Sequence, residues 1–151
     1  MTVEDEVRHA FNSGLNCAES VLLVVSKYSG LAKDSSWFIP RIATGFGGGI
    51  ARNGDVCGAL SGAVMAFGLA LGRDGPDQNR HQCVTVVDQF YNDFVKTFGS
   101  CKCRELTHVD FKTPEVDATS RKKIHQECCT PIVEWAAKTV SRMIKENQTK
   151  N

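Results

Sequence analysis

Apolar residues recur at helical intervals along most of this chain. The cleanest stripe is Cys83, Val87, Phe90, Tyr91, Phe94 and Phe98, spaced by three or four, with Asp88, Asn92, Asp93 and Lys96 on other faces. That spacing predicts one buried face of a helix over 83–98, ended by Gly99. Val133, Ala136, Ala137, Val140, Met143 and Ile144 mark a second inward face within a helical region over 118–145. Pro131 must break or kink that region, because it has no amide proton and crowds the carbonyl of Glu127.

Caps and breakers place the remaining elements. A short helix is expected over 4–12. Asn16, followed three residues later by Glu19, is a capping-box pair opening a helix that stops at Ser29-Gly30. Ser35 or Ser36 can cap a helix over 39–50, Asp55 one over 56–71, and Ser100 one over 102–107. The stretch 109–117, with Pro114, is expected as loop. No segment alternates with period two, and no repeat or linker divides the chain. The fold class is therefore all-α, a single-domain bundle of five or six helices.

Composition narrows the function classes. Of 151 residues, 42% are hydrophobic, enough for a core that needs no disulfide staples. Lysine plus arginine number 18 against 17 acidic residues, a balance that gives no reason to expect nucleic acid or an anionic membrane as partner. The apolar run 56–72 is slightly short for a bilayer and carries four glycines, so it reads as a buried helix and no membrane insertion is expected. Residues 1–9 hold Glu4, Asp5, Glu6 and Arg8 and show no export signal, which points to a reducing, cytoplasmic setting. Seven cysteines there, an odd number, favour thiols, metal ligands or redox-active groups over a fixed disulfide framework.

The positions of the cysteines are informative. Cys17 follows the cap Asn16, Cys57 follows Asp55, Cys103 follows Ser100, and Cys129 precedes Thr130-Pro131. All four are expected at or beside helix N-termini, where free amides and the macrodipole favour a thiolate or an anionic metal–thiolate group. Cys17 and Cys57 are then the expected reactive thiols, with Cys17 the more acidic. The wide spacing is no zinc ribbon or ferredoxin run, so only tertiary structure can bring the four together. Cys83, on the apolar stripe, is expected in the core. Cys101 and Cys128 are spare thiols, resolving thiols or alternative ligands.

The string Cys57-Gly58-Ala59-Leu60-Ser61-Gly62 is CGAxxG. Before it stand Gly14-Leu15-Asn16-Cys17-Ala18 and Gly45-Phe46-Gly47-Gly48-Gly49; after it come Cys103-Arg104-Glu105-Leu106 and Cys129. In this order the chain resembles a family of redox-active proteins named for one cysteine, a CGAxxG motif and two later cysteines. The resemblance implies a helical domain with four characteristic cysteines, by position Cys17, Cys57, Cys103 and Cys129, holding an iron–sulfur cluster or other metal. Similar domains occur fused to haem-binding segments, but no C-x-x-C-H string is present here, so no covalent haem is expected.

Other motifs are weaker. The glycines at 45–49 fail as a nucleotide loop, since Ile50 replaces the third glycine and no Gly-Lys-Ser/Thr follows. Gly58, Gly62, Ala66 and Ala70 instead form a smooth face, expected to pack on the 38–50 segment. His125, four before Cys129, and His108 read as surface histidines. Trp37, Phe38, Phe46 and Trp135 read as core or interface anchors. The functions in competition are an electron-transfer protein with thiolate-bound iron–sulfur or metal, a metal-free dithiol–disulfide protein, and a helical module with structural zinc. The redox partner is unspecified, and a homodimer is left open.

Overall fold

In a computed structural model the chain is described over residues 1–31, 38–113 and 116–149. Thr2 opens α1 (Val3–Asn12) by a capping box with Asp5, and Asn16 opens α2 (Cys17–Tyr28) by one with Glu19. Next come α3 (Ile39–Ala43), a 3-10 turn (Thr44–Phe46), α4 (Gly58–Leu71), α5 (His81–Phe98) and α6 (Cys103–Thr107). The chain ends in α7 (Ala118–Ile124), a π-helical segment (His125–Cys129) and α8 (Thr130–Gln148), which run on as one helix. With that last helix counted once there are seven among the described residues, and the fold is all-α.

The core lies between α2, α4 and α8. Val21, Leu22 and Val25 of α2, Ala59, Ala63 and Phe67 of α4, and Val133, Ala136, Ala137 and Val140 of α8 are buried in one cluster. Helix α1 lies across α8 and α2. Its rim is pinned by Lys138 Nζ to Glu4 Oε1 (2.7 Å), Lys27 Nζ to Glu6 Oε2 (2.8 Å) and an Arg8–Glu134 pair. Helix α5 brings Phe90 and Phe94 against Trp135 of α8, with Phe98 completing an aromatic cluster. Phe38 and Phe46 also pack on the core, whereas Trp37, Ser35 and Ser36 lie outside the described residues.

Several boundaries differ from the expectation, each for a local reason. The helix expected over 39–50 stops at Ala43 and tightens into the 3-10 turn, because the glycines from Gly45 on are poor helix formers. Helix α4 starts at Gly58 with Cys57, and not Asp55, as its N-cap. The reason is a short extended ladder. Cys57 N–H donates to the Cys101 carbonyl (2.8 Å) and Cys103 N–H to the Asp55 carbonyl (2.8 Å), around an antiparallel bridge between Val56 and Lys102. The same ladder makes Lys102 the N-cap of α6, while Ser100 Oγ accepts from the Lys102 amide (3.0 Å).

Pro131 is accommodated without a break. Thr130 N–H reaches back five residues to the His125 carbonyl, and this wider turn absorbs the missing amide one position later. The small-residue face of α4 packs on α2 and not mainly on the 38–50 segment. A Cβ at Gly62 would stand 2.7 Å from the Ala18 carbonyl oxygen, and one at Gly58 3.1 Å from the Ala18 nitrogen and 3.2 Å from the Phe46 carbonyl oxygen. Tyr91 turns outward from its stripe, 42% exposed.

Candidate functional site

Cys17, Cys57, Cys103 and Cys129 come from four separate elements and line one cavity of about 10 Å³, closed by Ala59, Leu106, Thr107, Ile132 and Val133. That is room for about one water molecule. Each thiol is delivered by a local rule. Cys17 is the first residue of α2, fixed by Asn16, whose Oδ1 accepts from the Ala18 (2.9 Å) and Glu19 (3.0 Å) amides. The backbone ladder sets Cys57 opposite Cys101 and Cys103 opposite Asp55, so Cys57 and Cys103 take diagonal positions across it. Gly49 lets Cys103 approach, since a Cβ there would meet the Cys103 Cβ at 2.8 Å.

Cys129 departs from the expectation. It lies within the π segment of a continuous helix and not at a free helix start, so spare amides do not explain its position. The two adjacent thiols stay within hydrogen-bonding reach of each other. Cys129 faces the cavity, while the Cys128 thiol donates to the Leu106 carbonyl (3.2 Å). Helix α6 has only five residues, so its macrodipole gives Cys103 little.

Burial is the main influence on the Cys57 and Cys103 thiols. Cys57 is only 6% exposed. Its burial pushes the thiol up to about 12, against the pull of the Ala59 and Leu60 amides, and Cys103 and Cys129 push it further. The expected low-pKa thiolate at Cys57 is therefore overturned: desolvation outweighs the helix start. Cys103 is raised by burial and by Cys128. At Cys129 the Cys128 thiol pulls downward, but contact with the Cys17 thiol, burial, and the nearness of Cys17 and Cys103 win, and the group is raised.

Cys17, Cys103 and Cys129 also line a second, open groove of about 450 Å³ beside the cavity. Its walls include Phe111 and His125, whose ring lies face to face on Phe11 at 3.9 Å and 10°. His125 is thus a half-buried groove residue and not the surface histidine expected; its spacing from Cys129 was the signal. His108 is exposed, as expected, in a left-handed helix cap. Arg52 and Arg121 line the same groove, and nothing in their sequence context marked them.

Arg52 comes from an unusual loop. Gly48, Gly49, Ile50, Ala51 and Arg52 are successive left-handed residues, with φ of 65, 70, 59, 48 and 63°. For non-glycine residues that conformation costs roughly 1–2 kcal/mol each, and such strain concentrates at functional sites. The loop lays Gly47, Gly48, Ala51 and Arg52 along one wall of the groove. Its hydrogen bonds tie it to its own ends: Ala51 N–H donates to the Gly45 carbonyl (2.9 Å) and Asp55 N–H to the Gly49 carbonyl (3.0 Å).

Cys83 and Cys101 do not line the cavity. Cys83 packs on the core with its thiol aimed at the Phe67 carbonyl (3.8 Å), and Cys101 accepts from the Tyr91 hydroxyl (3.4 Å). Among the described residues no group of three or more His, Cys, Asp or Glu side chains is set at distances ready to hold a metal ion.

With this geometry in view, the comparisons decide the relationship. The family described as "Putative redox-active protein (C_GCAxxG_C_C)" matches residues 15–143. The chain belongs to this family. Its motif reads Cys57-Gly58-Ala59 where the family's name writes Gly-Cys-Ala, while Ala59 and Gly62 keep the named spacing. A relative described as an uncharacterized protein of Archaeoglobus fulgidus is 25% identical over 146 residues, covering 91% of this chain and 90% of that protein. No solved structure matches the chain. No helix among the described residues is long and apolar enough to cross a membrane.

Proposed function

We propose that this protein transfers electrons through a thiolate-bound iron–sulfur or other metal group held by Cys17, Cys57, Cys103 and Cys129. The observation that carries the reading is that four cysteines so far apart in sequence line one cavity. The donor set fits such a group, since four sulfurs and no carboxylate line that cavity, a soft set suited to iron–sulfur or zinc. Room is limited inside the cavity, and Cys17, Cys103 and Cys129 also line the open groove beside it.

A bound iron–sulfur group would supply one-electron transfer at a potential set by its surroundings. The chain's part is to keep Cys57 dry, to offer it the Ala59 and Leu60 amides, and to leave the Cys17, Cys103 and Cys129 side open. Cys57, Cys103 and Cys129 are raised, so their ionisation would depend on a bound metal.

A second reading is favoured by one observation: the Cys17 and Cys129 thiols touch, and both line the groove. They could close a disulfide, giving up two electrons and two protons to an acceptor disulfide that is reduced to two thiols.

Anaerobic purification followed by iron, zinc and acid-labile sulfide analysis separates these readings. Iron with sulfide and visible colour are expected, lost on Cys→Ser substitution at any of the four positions. A colourless, metal-free protein that gains a Cys17–Cys129 disulfide would establish the second reading. Stoichiometric zinc without redox activity would sink both.

A further inference from the structure

The groove beside the thiols has a marked charge character. Among the described residues no carboxylate lines it, while Arg52, Arg121 and His125 do. Neither arginine forms an ion pair with a described residue. Arg121 is positioned from below: its Nε donates to the Val116 carbonyl (2.9 Å), an Nη donates to the Phe111 carbonyl (3.3 Å), and its guanidinium lies 5.9 Å from the Phe111 ring centre. The Arg52 side chain is exposed and forms no hydrogen bond with a described residue, though the strained left-handed loop fixes its backbone at the rim. A neighbouring hollow shares Arg121 and His125 and adds Lys122, again without a carboxylate.

A chain of nearly balanced charge thus gathers cations without an ion-pair partner among the described residues at one concavity, over three of its redox-candidate sulfurs. Guanidinium groups beside aromatic faces suit a planar molecule bearing an anionic group, because they supply directed donors for the charge and flat surfaces for the remainder. The volume of about 450 Å³ is that of a small-molecule site.

We propose that this groove binds a small planar organic anion, an aromatic carboxylate or phosphate monoester. Arg52 and Arg121 hold the charged end, and Phe111 and the Phe11–His125 stack flank the ring. The ligand then lies against Cys17, Cys103 and Cys129. As the exchange partner of those thiols it rests on the redox reading; as a bound anion it does not.

The histidine ring signals of the full chain, followed by NMR at constant pH, test this, because His125 is the one of four histidines that lines the groove. Benzoate and phenyl phosphate are the anionic probes and benzamide the neutral isostere. Saturable shifts at His125 are expected with at least one anion and not with benzamide, and the tighter anion distinguishes carboxylate from phosphate recognition. Arg52→Gln should weaken binding about tenfold and Arg121→Lys by less, since the charge is kept. Arg52 is exposed, so its variant should melt as the parent does. Calorimetric titration with the same probes gives the same comparison if a bound paramagnetic group broadens the His125 signal.

Equal response to benzamide, no binding of either anion, or wild-type affinity in Arg52→Gln would overturn the proposal. Anion binding in a protein found to have neither metal nor thiol redox chemistry would leave the groove standing and remove the redox reading. Metal loading without anion selectivity would do the reverse.

Discussion

Cys57 and Cys83 are both sulfurs turned inward from helical segments, and they differ in what surrounds them. Cys57 faces three other thiols, while Cys83 faces the Phe67 carbonyl and the apolar core. Burial raises both thiols, so acidity does not mark the functional one. Cys83→Ala should leave metal content and thiol–disulfide behaviour unchanged and cost stability on the order of 1 kcal/mol, by removing one part-buried group. Metal analysis and a thermal melt of the variant check this; a large loss of metal would place Cys83 among the ligands. Gly49 and Ile50 show a similar contrast. Both are left-handed, but glycine takes that conformation freely and leaves space for Cys103, while isoleucine is strained there with its side chain exposed.

At the scale of elements, the α2–α4 contact is set by absent side chains. Gly62 has the Ala18 carbonyl oxygen 2.7 Å from where its Cβ would be, while Gly68, on the outer face of the same helix, has nothing within 4 Å. Gly62→Ala should therefore cost about 1–3 kcal/mol by forcing the helices apart. Gly68→Ala should stabilise by about 0.5–1 kcal/mol, because alanine is the better helix former. Denaturant midpoints of the two variants should move in opposite directions, and a shift of the same sign in both would refute this packing. The small-residue spacing was legible in the sequence, but its partner was not, since periodicity marks a face without saying which helix lies on it. Likewise the stripes of α5 and α8 and the capping box of α2 follow from local rules. The start of α4 did not, because a non-local ladder to residues 101–103 took the backbone groups that Asp55 would have capped. Arg52 and Arg121 were silent for the same reason: a left-handed loop and a docked helix bring them together, and neither leaves a periodic trace.

For the whole molecule, the two ends of the chain close the bundle together. Helix α1 is held to α8 by Lys138, whose contact keeps the Glu4 carboxyl below its ordinary value. A depressed carboxyl stabilises the fold above its unfolded value of ~4.3, and that contribution is lost as pH falls through the folded value. Glu4→Gln should thus lower stability by up to about 1 kcal/mol at pH 7 and leave it nearly unchanged at pH 3. Urea unfolding at the two pH values measures this, and an equal loss at both would show that the pair contributes through packing alone. The four thiols divide along the chain in a way that bears on biosynthesis. Cys17 and Cys57 sit on the α2–α4 pair, which meets at Ala18 and Gly62, while Cys103 and Cys129 come from the C-terminal half. Cys129 leaves the ribosome last, roughly 4–14 s after Cys57 at ordinary elongation rates. During that interval the first two thiols have neither their later partners nor the lid formed by Leu106, Thr107, Ile132 and Val133 over them. The nascent chain therefore passes through a stage at which its two N-terminal cysteines are open to oxidation, and to whatever delivers metal, before the site can close.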